Sequence, residues 1–535
     1  MMGDLACLFD AGAVHASTAQ AFSWVVGLVF LALVAAASVS PIVRSRYRAR
    51  VVRLMALEQV LPRPAAWWQN AARRGGGTAA SSATTATTPS GLHASAARVE
   101  RRLTRATLVA WATFALFAAA IAGVLGQSQS IVMRLADGAV AALFAVGPVL
   151  ANLPPRWSRR ALVIGAVALA GAAALGTAID PTGLDSVADV AIGAAILAVI
   201  YVALLHRSLR GQVLPVFVVS VVALLVLDFP LLLTDARIDA CGNAAQASAR
   251  PVFVVVPVLP AIWVGFRVLS GLLRLADRGW FSDVSLPSLV ALGVGALAWI
   301  AGAPAVESNR LSPIVVALPL LWLAVTAAAY AIALGRRAPT AGAPQLLMLR
   351  VFAQRSRQHA LLDAIQQRWR CLGPIHQIGG PDLAALNVDL DECALYLTGR
   401  LHELFLPEAA SAEQLQSRLR TRADREGRFA INEVFCFNTA WRATVEQLMR
   451  LSDVVVLDLR GFTGHRRGTA YEIGLLGHAA LLARVVAIGD ADTNWRDVEA
   501  LLRDAGADPA QLVRFDERRE GIDALFDRLL AVAAR

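Results

Sequence analysis

The hydrophobic pattern divides the chain at about residue 335. Before that point, apolar runs recur at 21–40, 106–126, 138–153, 161–179, 188–205, 213–233, 252–273, 285–303 and 313–334. Each is near the length of about 20 residues that spans a hydrocarbon core as a helix. After it, short β-rich runs alternate with amphipathic stretches. QLLMLRVFAQ, GPIHQIGG, RFAINEVFCF, DVVVLDL, ARVVAIGDAD and QLVRF read as strands. The segments SRQHALLDAIQQRWRC, DLDECALYLTGRLHELF, SAEQLQSRLRTRAD, TAWRATVEQLMRLS, GTAYEIGLLGHAAL and those near 494–505 and 519–534 read as helices. Strands alternating with helices mean a parallel sheet covered on both faces.

The expected fold class is therefore a multi-span α-helical membrane bundle of about nine spans, N-terminus outside, followed by a cytoplasmic α/β domain of flavodoxin or Rossmann type. The expected parts are a first span in 1–40, a basic loop over 41–105 with a disordered linker at 73–95, an eight-span bundle over 106–334, a linker over 335–345 and the α/β domain over 346–535. Arginine supports this orientation: the expected inner loops hold 20 and the outer loops 4, as the positive-inside rule requires. PIVRSRYRARVVRLMALEQVL, with Arg44, Arg46, Arg48, Arg50 and Arg53, reads as an amphipathic helix on anionic lipid, with Trp67 and Trp68 suited to the interface. The localisation that follows is the inner (plasma) membrane, with the lipid bilayer as a partner.

Composition agrees, with 57% hydrophobic and 17% charged residues. Ordinary globular chains carry about one quarter charged. The net charge of +10 comes entirely from arginine over acid, there being no lysine, and most of the excess flanks the apolar runs. No nucleic-acid partner is expected from it. Cys7, Cys241, Cys371, Cys393 and Cys436 lack the close spacing of a metal site, so no metal is expected. Small-residue stretches such as GAVALAGAAALG allow close helix packing and a homo-oligomer. Asp228, inside an apolar run, raises a transporter with a regulatory domain as one alternative function.

The candidate chemistry lies in DVVVLDLRGFTGHRRGTAYEIG. Asp458 closes a strand; Arg460, His465, Arg466 and Arg467 follow in a loop; Glu472 lies at the start of the next helix. In open α/β sheets ligands sit beyond the carboxyl ends of strands, where a helix N-terminus also offers N–H groups to anions. Carboxylates and arginines there suit a phosphorylated or ribosyl ligand. Glu472 could stabilise or attack an oxocarbenium-like centre. It has a second reading: Thr469-x-x-Glu472 is also a capping box, which would spend the carboxylate on its own helix terminus. Neither GxGxxG nor a Walker loop occurs, and no cofactor is expected.

D-L-R-G-F followed by G-T-A-Y-E-I-G after a hydrophobic strand resembles the nucleoside 2-deoxyribosyltransferase and TIR-like group. The resemblance covers some 25 residues plus the surrounding α/β alternation. It implies cleavage or transfer at an N-glycosidic bond, with a nucleotide such as NAD or a deoxynucleoside as ligand. Glu472 takes the catalytic place and Asp458 that of the strand-end carboxylate. Gly468, Thr469, Tyr471 and Gly474 belong to the motif, and Arg460 joins them as a ligand-binding residue. The chain departs from the group in two places. Its first strand runs into FAQRSR, without the aromatic loop that members offer the base, and the segment near 389–423 is an insertion. The expected function is thus a membrane protein carrying a nucleotide-binding or N-glycosidic-bond-cleaving domain in a sensory or signalling role. A non-catalytic interaction module is the other alternative.

Overall fold

The computed structural model describes residues 88–125, 313–335 and most of 342–535, together with 38, 41–43, 45–56 and a few positions between 260 and 271. Within 342–535 the stretches 351–358, 380–394, 397–398, 407–411, 438–439 and 479–480 are not described. The chain divides into two compact units, one built on Arg102–Gly335 and the other on Arg44–Arg101, Arg336–Val388 and Leu395–Arg535.

In the first unit, helix α2 (Pro313–Leu334) is followed by Gly335 at φ +65°. The side chain of Arg102, on helix α1 (Pro89–Leu125), donates to the carbonyl oxygens of Leu334 and Gly335. A cation there satisfies carbonyls left open at a helix C-terminus and complements its dipole. Among the described residues, no helix is long and apolar enough to cross a membrane. That finding overturns the nine-span bundle and the multi-pass membrane reading drawn from it. Run length measures apolarity along the chain, not the environment each side chain reaches. In the described part of these runs Ala106 on α1 and Trp322 and Leu334 on α2 are buried in protein, whereas Leu116, Leu321 and Ile332 are exposed. The runs at 138–153, 161–179, 188–205, 213–233 and 285–303, and Asp228 with them, lie outside the described residues.

Two further readings change in the second unit. The amphipathic stretch is helical over 45–56, but Tyr47, Val51, Leu54 and Met55, one stripe at helical spacing, are buried within the protein. Hydropathy alone does not distinguish a protein partner from a lipid one. Helix α1 begins at Pro89, inside the stretch read as disordered linker, and Leu92 enters the core of the α/β domain.

That domain matches the expected alternation. Its elements are β1 (Leu346–Arg350), α3 (His359–Trp369), β2 (Ile375–Ile378), β3 (Phe405–Leu406), α4 (Ala412–Arg418), β4 (Ile431–Cys436), α5 (Trp441–Leu451), β5 (Val454–Asp458), α6 (Arg467–His478), β6 (Val485–Gly489), α7 (Trp495–Asp504), β7 (Val513–Asp516) and α8 (Ile522–Ala533). The strands form one sheet in the order β3-β4-β2-β1-β5-β6-β7, with every neighbouring pair parallel. The run β2-β1-β5-β6-β7 has the flavodoxin-like order, with β4 and β3 added outside β2. The edge strand β3 begins at Phe405, the last residue of a segment that the sequence pattern placed in a helix. Its pairing, Phe405 opposite Phe435 and Leu406 opposite Cys436, depends on β4, thirty residues away in the chain, so local periodicity carries no sign of it.

Strand alternation assigns the two faces. Leu346 and Met348 of β1, Val454 and Val456 of β5, and Val486 and Ile488 of β6 share a core with Ile365 and Trp369 of α3 and Leu525, Phe526 and Leu529 of α8. Val455, Leu457, Val485 and Ala487, equally buried, point to the other face, which is left to the mutually packed α5, α6 and α7. Gly477 of α6 permits that packing, since a Cβ there would meet the Cβ of Ala505 at 2.7 Å. Cys371 and Cys436 are free thiols.

His376 of β2 is fully buried and hydrogen-bonded on both ring nitrogens. Asn432 Nδ2 lies 3.2 Å from Nδ1, which must then accept, and Nε2 lies 2.9 Å from Gln345 Oε1, to which it donates. Both partners suit the neutral ring, and burial lowers its pKa to about 4. An unfolded chain would bind this proton near pH 6.5. Stability is therefore complete above that value and falls as the pH drops towards 4, by about 3 kcal/mol. Urea titrations of a His376→Gln variant should show a flatter stability profile between pH 6.5 and 4 than the parent does.

Candidate functional site

The chain starts its sheet at β1, builds β2, β4 and β3 to one side, then crosses to β5, β6 and β7 on the other. The topological switch point lies between β1 and β5, whose last residues, Arg350 and Asp458, stand opposite each other. Ligands of open α/β sheets bind in the crevice beyond such a point. The DLRGF…GTAYEIG stretch is therefore where the topology expects a site.

Asp458, however, is already engaged. Arg460 Nε donates to Asp458 Oδ1 at 2.8 Å and Nη2 to Oδ2 at 2.7 Å, a bidentate pair, while Nη1 donates to Glu517 Oε2 at 2.8 Å. The Arg460 backbone N–H adds a bond to Asp458 Oδ1 at 3.2 Å. Arg460 has no exposed surface and Asp458 almost none; the Glu517 side chain is 37% exposed. Burial alone would depress the guanidinium, but the hydrogen bonds and negative charge of Asp458 and Glu517 hold its pKa above the ordinary value. Arg460 thus ties the carboxyl end of β5 to the segment after β7.

The rest of the loop is held by β6 and its connection. Gly461, at φ +66°, donates to Asp490 Oδ1 at 3.0 Å. Thr493 Oγ1 donates to Leu459 O at 3.0 Å, Asn494 N to Phe462 O at 3.0 Å, and Gly464 N to Asp497 Oδ2 at 2.8 Å. These bonds leave His465, Arg466 and Arg467 exposed at the tip, leading into α6.

Glu472 is as buried as Asp458 but is held by no such network. Because α6 begins at Arg467, Thr469 is its third residue and Glu472 lies beyond the first turn. The capping-box geometry is therefore not formed. Glu472 is 4% exposed, and its Oε2 has no hydrogen-bond partner. Burial, uncompensated by a partner, raises its pKa to about 8. A buried carboxyl with a strongly raised pKa, in the helix after the switch-point strand, is a recognisable mark of a functional group.

The two carboxylates are not brought together. Asp458 keeps the parity of Val454 and Val456 and so belongs to the α3–α8 side, whereas Glu472 rides on α6 across the sheet. Thr469 is buried beside Glu472 on the inner surface of α6. Gly468 and Gly474 have no atom within 4 Å of a built Cβ, so neither is required by packing, and both leave bare helix surface. Tyr471 lies on the flank of α6, its ring against Trp441 at the start of α5, centroids 5.3 Å apart at 75°.

Sequence reasoning missed four residues of this region: Arg350, Glu517, Trp441 and Arg442. Arg350 and Glu517 carry no motif, since one ends a strand and the other follows one, and the place of each strand in the sheet is set by pairing. Trp441 and Arg442 opened an expected helix, and only the packing of α5 on α6 links them to Tyr471. No protein-family model, no curated protein and no solved structure matches this chain.

Proposed function

We propose that the α/β domain binds a nucleoside or nucleotide and cleaves its N-glycosidic bond, with Glu472 as the catalytic group. The observation that carries this reading is the Glu472 carboxyl itself, buried and without a partner on Oε2, an environment that pushes its pKa up to about 8. A structural cap would be hydrogen-bonded and ionised; an acid waiting for a substrate has this description. In the reaction, the bond between C1′ and the base nitrogen breaks and its electron pair leaves with the base. Where the base would otherwise leave as an anion, Glu472 supplies a proton to it; the nicotinamide of NAD leaves already neutral, and Glu472 then acts only on C1′ and the water. The carboxylate faces the cationic C1′ until water adds there, and the water's proton returns to Glu472. The Asp458–Arg460–Glu517 network acts by holding the β5 loop, so Asp458 is a positioning residue.

The test is base release from deoxynucleosides and from NAD by the full-length protein, followed chromatographically beside Glu472→Gln. Release of base from deoxynucleosides by the parent should fall by about 10²- to 10⁴-fold in the variant, the usual loss for a general acid. The parent's rate should also decline above about pH 8, as Glu472 loses its proton. Intact substrates with the folded parent would defeat the proposal.

A further inference from the structure

The sheet ends at β7, and an edge strand offers a row of backbone groups to any further strand. Glu517 N donates to Gly489 O at 3.3 Å, so residues 513, 515 and 517 turn their backbone groups to β6 and residues 514 and 516 turn theirs outward. These outward groups are engaged by two side chains and by the turn that follows. Asp516 N donates to Glu520 Oε1 at 3.4 Å, and Arg528 Nη1 on α8 donates to Arg514 O. Arg528 Nη2 donates to Glu520 Oε2, so the carboxylate and the guanidinium act as one unit. Asp516 O accepts from the backbone N–H of Arg519 at 3.1 Å and of Glu520 at 3.0 Å. The Glu520–Arg528 pair thus presents one acceptor and one donor to β7, where a neighbouring strand would present a C=O and an N–H.

We propose that the Glu520–Arg528 pair is a displaceable cover on the β7 edge, and that the uncovered edge pairs antiparallel with the same edge of a second copy of this chain. The register selects the second copy. In an antiparallel pair about a twofold axis, Arg514 stands opposite Asp516 of the second copy and the two exchange backbone bonds. Asp516 N–H then meets a carbonyl where Glu520 now stands, and Arg514 O meets an N–H where Arg528 now stands. The side chains match as well. Arg514 lies on the α7 face, its Nη2 2.8 Å from Glu499 Oε1 and its guanidinium over the Trp495 ring, and Asp516 has the same parity. Opposite charges therefore meet on both sides of the axis. The cover is also light: the Arg528 and Glu520 side chains are 34% and 27% exposed, and an ion pair so placed contributes little to folding. A strand that replaces it returns equivalent bonds to both backbone groups.

Light scattering of the full-length protein over a concentration series tests this, beside a Glu520→Ala/Arg528→Ala variant. The variant's mass should rise twofold over the parent's as concentration increases, because an isologous contact closes at two copies. Adding Asp516→Pro removes an outward N–H that no strand of the sheet uses, and should return the mass to that of the parent. Adding Arg514→Glu instead sets like charges opposite each other and should do the same, while Arg514→Glu/Asp516→Arg should restore the twofold mass. A Glu520→Ala/Arg528→Ala variant with the parent's circular dichroism and the parent's mass at every concentration overturns the proposal, and leaves the edge to an extended partner of another kind. A twofold mass that survives Asp516→Pro places the contact elsewhere and overturns it too. So does growth beyond twofold, the mark of a contact that does not close.

Discussion

Replacing Glu472 with glutamine should make the α/β domain more stable at pH 8 while removing its activity. The carboxyl is buried and its pKa is raised from 4.5 to about 8. In the unfolded chain the same group ionises near pH 4.3. Between those values the native state holds a proton that the unfolded state has released. Stability therefore falls as the pH rises through this window and levels off above 8. The loss is of the order of a few kcal/mol, reduced by whatever relaxation lets water reach the ionised group. Glutamine does not titrate. Glu472→Gln should match the parent near pH 4.5, where both side chains are neutral, and exceed it by about 2–4 kcal/mol at pH 8. The buried amide must still find hydrogen bonds, which sets the lower end of that range. Urea unfolding of the full-length protein at the two pH values decides the matter. A variant no more stable than the parent at pH 8 would mean that Glu472 is ionised and satisfied in solution, and would also weaken its assignment as the proton donor. Stability sacrificed at one position for reactivity is the usual signature of an active site.

The second large effect is expected at Arg460. Arg460→Met leaves Asp458 buried beside an apolar side chain and deprives Glu517 of its partner. Breaking one side of a buried ion pair costs about 3–5 kcal/mol, because the remaining charge is stranded. The double variant Asp458→Leu/Arg460→Met should recover most of that loss, since the pair itself contributes little beyond what its burial costs. Chemical denaturation of parent, single and double variants forms the cycle. A single variant within 1 kcal/mol of the parent would show that Arg460 is not the tie across β5 and β7. Activity separates the two carboxylates further. An Asp458→Asn protein that folds should keep base release within about tenfold, whereas Glu472→Gln should not. On the proposed function, the pair Asp458–Arg460 serves stability and loop position, and Glu472 serves the chemistry.

Much of the α/β domain was determined by the sequence alone. Residues such as Val454–Leu457 and Val485–Ile488 are short apolar runs bounded by turns, and amphipathic segments lie between them; that alternation is enough to call a parallel sheet covered on both sides. The position of Glu472 in a helix after a strand was equally legible. Three matters were decided only by the tertiary structure. Strand order is one: β3 and β4 join beyond β2, and β5 returns beside β1, through pairings between residues far apart in the chain. The environments of the two carboxylates are another. Asp458 and Glu472 are 14 positions apart in the motif, yet one is neutralised by an arginine two residues on and the other, on the opposite face, has no partner on its Oε2. A side chain's partner is a property of folded space, and with it the pKa. The third is the fate of the described apolar residues before residue 335. Leu103 and Trp322 are buried while Leu321 and Ile332 are exposed, although hydropathy counts all four alike as apolar and the same free energy of transfer is gained against protein as against lipid. Which of the two accepts them is settled by packing, and no count of apolar residues along a chain contains that information.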